Sequence, residues 1–189
     1  MPKLILFDAD FTLLDVEDGF ALRPGVKETI ARLQAQPNAP HIAIVTNQGG
    51  PACRAAGWEW SAKFPDLPEI EARYNALAAD LDLPLYLSLA YVTSQAETLL
   101  PPGVAKDDPR ANPSWRWPAA GLFLQTLRDF GLRRPADAML VTTQDKAKRA
   151  ARSIQLPVAD GLTWFNQQPR AQRQKAAPAR RLAPLPAPF

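Results

Sequence analysis

Four apolar runs of strand length, each halting at polar residues and parted from the next by a stretch of helical period, leave this chain few ways to fold. The runs are Lys3–Phe7, Ile42–Val45, Leu85–Val92 and Ala138–Val141. Leu156–Val158 adds a fifth, where Pro157 points to a sheet edge. Between them, Val26–Gln36 sets Val26, Ile30 and Leu33 on one helical face, and Pro68–Leu81 does the same with Ile70, Tyr74, Leu77 and Leu81. Ala119–Phe130 follows with Leu122, Phe123, Leu127 and Phe130, and Lys146–Arg152 is expected as a short basic helix. Strands alternating with helices bury both faces of a mainly parallel sheet, so the expected class is α/β, a three-layer Rossmann-like fold. Residues 101–118 are expected as a proline-broken loop. Only a few polar residues precede Val26, and a helix, a strand and loops use the stretch from Thr46 to Trp117, so no large cap domain is expected.

A length of 189 residues suits one domain with a single core, placed at residues 1–165. Residues 166–189 differ in kind. They carry Arg170, Arg173, Lys175, Arg180 and Arg181 with no acid, and five of the twenty prolines. Setting those five charges aside turns the net charge from +3 to −2, so a mildly acidic body bears a basic, flexible tail. Such a tail is either a solvated linker or a weak contact to a nucleic-acid backbone. No apolar stretch approaches membrane-spanning length, and Met1-Pro2-Lys3 runs directly into a strand, so neither a membrane span nor a signal peptide is expected. One cysteine, Cys53, and one histidine, His41, exclude a disulfide framework and a Cys/His zinc site. A cytoplasmic location is the default; oligomeric state is left open.

The chemistry-bearing residues gather where the strands end. In an open parallel sheet, ligands bind beyond the carboxyl ends of the strands. Asp8 and Asp10 follow the first run, Thr46-Asn47-Gln48-Gly49-Gly50 the second, and Thr142-Thr143-Gln144-Asp145 the fourth. Unpaired carboxylates are costly to bury, so two acids at the end of an apolar strand point to a divalent cation and phosphoryl chemistry, with a polar turn as the plainer reading. A threonine hydroxyl and nearby backbone N–H groups at Thr46-Asn47 can bind phosphate oxygens; the same residues also suit a glycine-rich loop exit. Asp145 serves equally as a metal-directed acid or as the N-cap of the helix at Lys146.

Phe7-Asp8-Ala9-Asp10-Phe11-Thr12 resembles the first motif of the haloacid dehalogenase (HAD) superfamily of phosphohydrolases, Asp-x-Asp-x-Thr. Thr46-Asn47-Gln48-Gly49-Gly50 resembles the Thr-Asn-Gln-Ser-Gly run of its capless, subclass III-type members, relatives of histidinol-phosphate, heptose-bisphosphate and polynucleotide 3′-phosphatases. The later motifs are eroded. Where these relatives carry Arg-Lys-Pro-x-Pro-Gly-Met-Leu, this chain has Arg116-Trp117-Pro118-Ala119-Ala120-Gly121-Leu122-Phe123, with Trp117 at the lysine position. Where they carry a pair of acids after the fourth strand, only Asp145 remains. Phe11 replaces a usual glycine.

The resemblance covers roughly residues 3–165 and implies a HAD fold and a Mg²⁺-dependent phosphomonoesterase. Asp8 would be the nucleophile, forming an aspartyl-phosphate. Asp10 would protonate the leaving oxygen and then activate water. Thr46 would orient a phosphate oxygen, with Asn47 and Gln48 beside it. Mg²⁺ would sit between Asp8, the backbone carbonyl of Asp10 and the acid that Asp145 offers. Either Arg116 or Lys106 would supply the missing positive charge, although arginine replaces lysine imperfectly at a point-charge site. Trp115 and Trp117 either pack the loop against the body or stack a substrate ring. The implied substrate is a phosphorylated small molecule or a macromolecular phosphate end. Two alternatives stand beside this one: a HAD-like binding module that has lost its chemistry, and a nucleic-acid end-processing phosphatase whose basic tail engages the backbone.

Overall fold

A computed structural model describes residues 2–167 of the chain. Its central sheet has five strands: β1 (Leu4–Asp8), β2 (His41–Asn47), β3 (Leu85–Ser88), β4 (Ala138–Thr142) and β5 (Val158–Asp160). All four pairings are parallel, and the order across the sheet is β3-β2-β1-β4-β5. The strand order therefore reverses at β1, and the crevice that such a reversal opens lies at the carboxyl ends of β1 and β4.

The central strands β1, β2 and β4 lie between two helical layers, which explains why their sequences are apolar over most of their length. Successive side chains of β1 alternate faces. Ile5 and Phe7 join Ile30 and Leu33 of α1 (Val26–Gln34) and Ile70, Tyr74 and Leu77 of α3 (Leu67–Leu81). Leu4 and Leu6 join Leu122, Phe123 and Leu127 of α4 (Gly121–Asp129) and the three alanines 147, 150 and 151 of α5 (Asp145–Ser153). The small side chains of α5 let that helix lie close on β4. Two helices complete the described chain, α2 (Gly50–Ala55) and α6 (Gly161–Gln167). Asp66 begins α3 with a reciprocal capping box to Glu69, worth about 1 kcal/mol. Among the described residues no helix is long and apolar enough to cross a membrane.

The three-layer α/β expectation holds, and no cap is evident. Several boundaries differ. The third run does not continue as one strand to Val92. It leaves the sheet after Ser88, where the Leu89 N–H donates to the Arg110 carbonyl at 2.9 Å, and Tyr91–Val92 pairs with Thr98–Leu99 as a separate hairpin. As an edge strand, β3 has no outer neighbour to hold the chain longer. The fifth strand begins at Val158, two residues later than expected, because Leu156 caps back onto Ala151. Asp160 ends β5 and accepts from the Leu162 and Thr163 N–H groups at the start of α6. That helix runs to Gln167, so the first two residues of the expected tail belong to it. The rest of the tail, and its five basic residues, lies outside the described residues.

Candidate functional site

Asp8, the last residue of β1, is wholly buried. Its Oδ2 accepts a hydrogen bond from the Thr142 hydroxyl at 2.6 Å, and its Oδ1 has no hydrogen-bond partner. Thr142 ends β4, the neighbouring strand, so strand pairing itself brings the two together. Burial pushes the Asp8 carboxyl well above the usual carboxylate range. The Thr142 hydroxyl opposes the shift and the Asp10 charge adds to it. Thr12 completes the turn: its hydroxyl accepts from the Thr143 N–H at 3.2 Å. Phe11 holds a left-handed backbone, φ 59°, at the position where a glycine would do so without strain.

Asp10 is engaged on both oxygens. The phenol of Tyr74, on α3, donates to Oδ1 at 2.5 Å, and the Gln48 amide donates to Oδ2 at 2.8 Å. The same Gln48 nitrogen donates to the Thr46 hydroxyl at 3.0 Å. Burial raises the Asp10 pKa, while Tyr74, Gln48 and the charge of Arg73 hold it down. Burial and the adjoining acid push the Tyr74 phenol upward, so it stays protonated and donates. The structure thus brings Asp8, Asp10, Thr46 and Gln48 into one cluster. It adds Tyr74 and Thr142, which the sequence presents only as a core position and a strand end.

The other expected residues take different roles. The Asn47 side chain clamps the loop that opens the expected third motif: Oδ1 accepts from the Trp117 N–H at 2.6 Å and Nδ2 donates to the Trp115 carbonyl at 3.1 Å. It anchors that loop to the end of β2. Trp117 is 4% exposed, its ring 5.8 Å from that of Phe123, and so it packs chiefly against the core. Arg116 places its guanidinium 5.4 Å from the centre of the Tyr91 ring. Lys106 is exposed on its loop and does not line the cleft described next. Asp145 is the first residue of α5, its side chain 92% exposed and 4.0 Å from Lys148; Gln144 holds the N-cap position. Asn47, Arg116, Trp117, Gln144, Asp145 and Lys146 line a cleft of about 330 Å³ above the strand ends.

A cation site at Asp8, Asp10 and Asp145 does not fit these residues. Mg²⁺ needs a near-octahedral set of oxygens, of which one or two come from carboxylates. Here Asp8 offers one oxygen without a protein donor, Oδ1, but Asp145, the acid expected to complete the set, holds its side chain 92% exposed beside Lys148. Among the described residues no three His, Cys, Asp or Glu side chains lie where they could hold a metal ion. The cause is local to β4: its end offers hydroxyls, Thr142 and Thr143, where a third carboxylate would be needed.

No protein-family model matches this chain, and no curated protein matches it. Among the solved structures that align with this chain, one covers 80% of it and 62% of its own length, at 13% identity and a TM-score of 0.44. The chain therefore spans less than two thirds of that structure, and a likeness at this level carries no functional argument.

Proposed function

We propose that this chain is a HAD-like domain whose phosphoryl-transfer site has closed upon itself, so that it binds an anionic ligand in the adjoining cleft and does not hydrolyse phosphomonoesters. The observation that carries this reading is the Asp8–Thr142 hydrogen bond within a fully buried strand end. A nucleophilic carboxylate must be ionised and open to phosphorus. Asp8 is desolvated, held by a hydroxyl, and beside a second acid whose charge adds to the shift. A phosphate dianion approaching that pair meets repulsion that no lysine offsets, since the position a lysine would take holds the buried indole of Trp117. The cleft itself is better suited to an anion, with Arg116 and Lys146 against the single charge of Asp145.

A second reading, a Mg²⁺-dependent phosphomonoesterase with Asp8 as nucleophile and Asp10 as acid and base, draws support from one feature. Asp8 Oδ1 is buried without a partner, and such orphaned oxygens in native structures often have a functional cause. Phosphate release from p-nitrophenyl phosphate and a panel of phosphate esters, with and without Mg²⁺, separates the two. The binding-module reading expects wild type to match Asp8→Asn throughout. Metal-dependent turnover that disappears in Asp8→Asn would establish the phosphatase instead.

A further inference from the structure

At the amino ends of the strands, opposite the acid pair, α4 closes in a left-handed turn. The Leu132 N–H donates to the Leu127 carbonyl at 2.8 Å and the Gly131 N–H to the Arg128 carbonyl at 2.9 Å, with Gly131 at φ 68°. This pair of bonds brings the residue after the turn back beside the last turn of the helix. Leu127 and Leu132 therefore share a hollow of about 510 Å³, together with Leu124 and Pro135. Leu124 is 45% exposed and belongs to neither core layer. Leu132 is also a wall of a second hollow of about 640 Å³, which runs on past Phe130 to His41. No acidic side chain lines either hollow. Arg128 and Arg133 flank the first, and neither enters an ion pair among the described residues. The nearby acids are already engaged: Asp129 by the Gln125 amide at 2.7 Å, and Asp137 by Arg134 at 2.7 Å and Lys3 at 3.6 Å. Arg128, in the last turn, complements the helix dipole; Arg133 lies beyond the helix and has no such part.

We propose that the two joined hollows are a docking groove for an acidic segment of a partner protein, whose apolar side chains enter beside Leu124 and Leu132 and whose carboxylates meet Arg128 and Arg133. Nothing in this proposal depends on the cleft or on the acid pair, which lie at the other end of the sheet. Charge selects the partner. Residues 121–155, which include α4, β4 and α5, hold seven basic side chains and three acidic ones, within a body whose net charge is −2. An apolar recess edged by unpaired cations is complementary to a chain that interleaves apolar and acidic residues, the pattern by which amphipathic helices are held in grooves. Shape and composition disfavour the other polyanions. The recess is walled by leucines and a proline, and the Phe130 ring already meets His41 at 5.1 Å, so no open ring face awaits a nucleic-acid base. A bilayer is held by apolar groups that stand out from a surface, whereas these side chains line a hollow.

The test is selection of phage-displayed random peptides of about 15 residues, long enough to form a helix when bound, on the immobilised full chain. The library is first depleted on the double variant Leu124→Asp/Arg133→Glu, which keeps every other basic residue and so removes peptides held by charge elsewhere. Circular dichroism establishes that the variants, all at exposed positions, are folded. The surviving peptides should interleave Asp or Glu with Leu, Ile or Phe. A labelled survivor, followed by fluorescence anisotropy, should lose about fivefold or more in affinity on Leu124→Ala, from the burial that one half-exposed leucine forgoes. Leu124→Met should recover most of that loss. Arg133→Glu should weaken the same peptide about tenfold at low salt, and the difference should shrink at high salt. The groove is overturned if no peptide survives depletion, if the survivors are basic or uncharged, or if the single variants bind them as wild type does. It is also overturned if Leu124→Ala abolishes binding to vesicles of phosphatidylcholine and phosphatidylserine, which would make this a membrane contact. Sedimentation of a dimer that Leu124→Ala splits would overturn it too, by making the face a contact between copies of this chain.

Discussion

Replacing Tyr74 by Phe removes one oxygen from the core and leaves every apolar contact of the ring in place. That oxygen donates to Asp10 Oδ1, and with it gone Asp10 keeps only the Gln48 donor on its other oxygen. Hydrogen bonds to charged groups contribute about 1.5–3 kcal/mol, against about 1 kcal/mol for neutral pairs. The phenol also holds down a carboxyl pKa that burial raises, so Tyr74→Phe raises it further. Because folding raises the Asp10 pKa, the folded form takes up more protons than the unfolded chain above the unfolded value. Stability from this group is full at low pH and is lost as pH rises through the folded pKa. In Tyr74→Phe that loss extends to higher pH. The variant should therefore cost about 2 kcal/mol at pH near 7 and about 1 kcal/mol near pH 4, read by urea unfolding at the two pH values. For a domain of this size the neutral-pH loss corresponds to a fall in Tm of roughly 4–8 °C. An equal loss at both pH values, or none at pH 7, would refute a charge-assisted bond between Tyr74 and Asp10.

Three further variants follow from the same geometry. Thr142→Val removes the donor to Asp8 and the acceptor for the Gln144 N–H; it should destabilise by about 1–3 kcal/mol at neutral pH and steepen the fall of urea midpoint with rising pH above the carboxylate range. Asn47→Ala frees the loop at Trp115 and Trp117, and amide exchange should quicken at Trp117 by roughly tenfold or more, with about 1–3 kcal/mol lost overall. Gly161→Ala would place a Cβ 2.9 Å from Thr12 Cγ2 and 3.1 Å from Thr143 Cγ2, and should cost about 1–3 kcal/mol by thermal unfolding while leaving helix content unchanged.

The layers were legible because burial on both faces writes itself into composition: β1, β2 and β4 are apolar runs, and the stripes Val26/Ile30/Leu33 and Ile70/Tyr74/Leu77/Leu81 face the sheet as their period requires. What escaped was decided by contacts far apart in sequence. Tyr74 sits at an apolar position of a helical stripe, and nothing in that period shows that its hydroxyl meets Asp10. Thr142 looks like the last residue of a strand until β4 is paired beside β1. For Trp117 the sequence left packing against the body and stacking on a ligand open; the Asn47 clamp draws its backbone in and its ring packs into the core. Gly50-Pro51 has the signature of a turn, but Pro51 takes the first turn of α2, where proline's missing N–H costs nothing. The acid pair was placed at the strand end and the loss of an acid after β4 was legible in the eroded fourth motif, but the three donors that meet the pair were not readable from spacing.

Whether the site has lost its cation half is tested most directly by calorimetric titration of Mg²⁺ into the full chain, with Asp8→Asn as the reference. A pair of carboxylates closed by Thr142, Tyr74 and Gln48 should give the same trace for both proteins, with no saturable heat at millimolar metal. Saturable binding to wild type that vanishes in Asp8→Asn would show that the buried Oδ1 of Asp8 is a ligand after all, and the phosphatase reading would take its place.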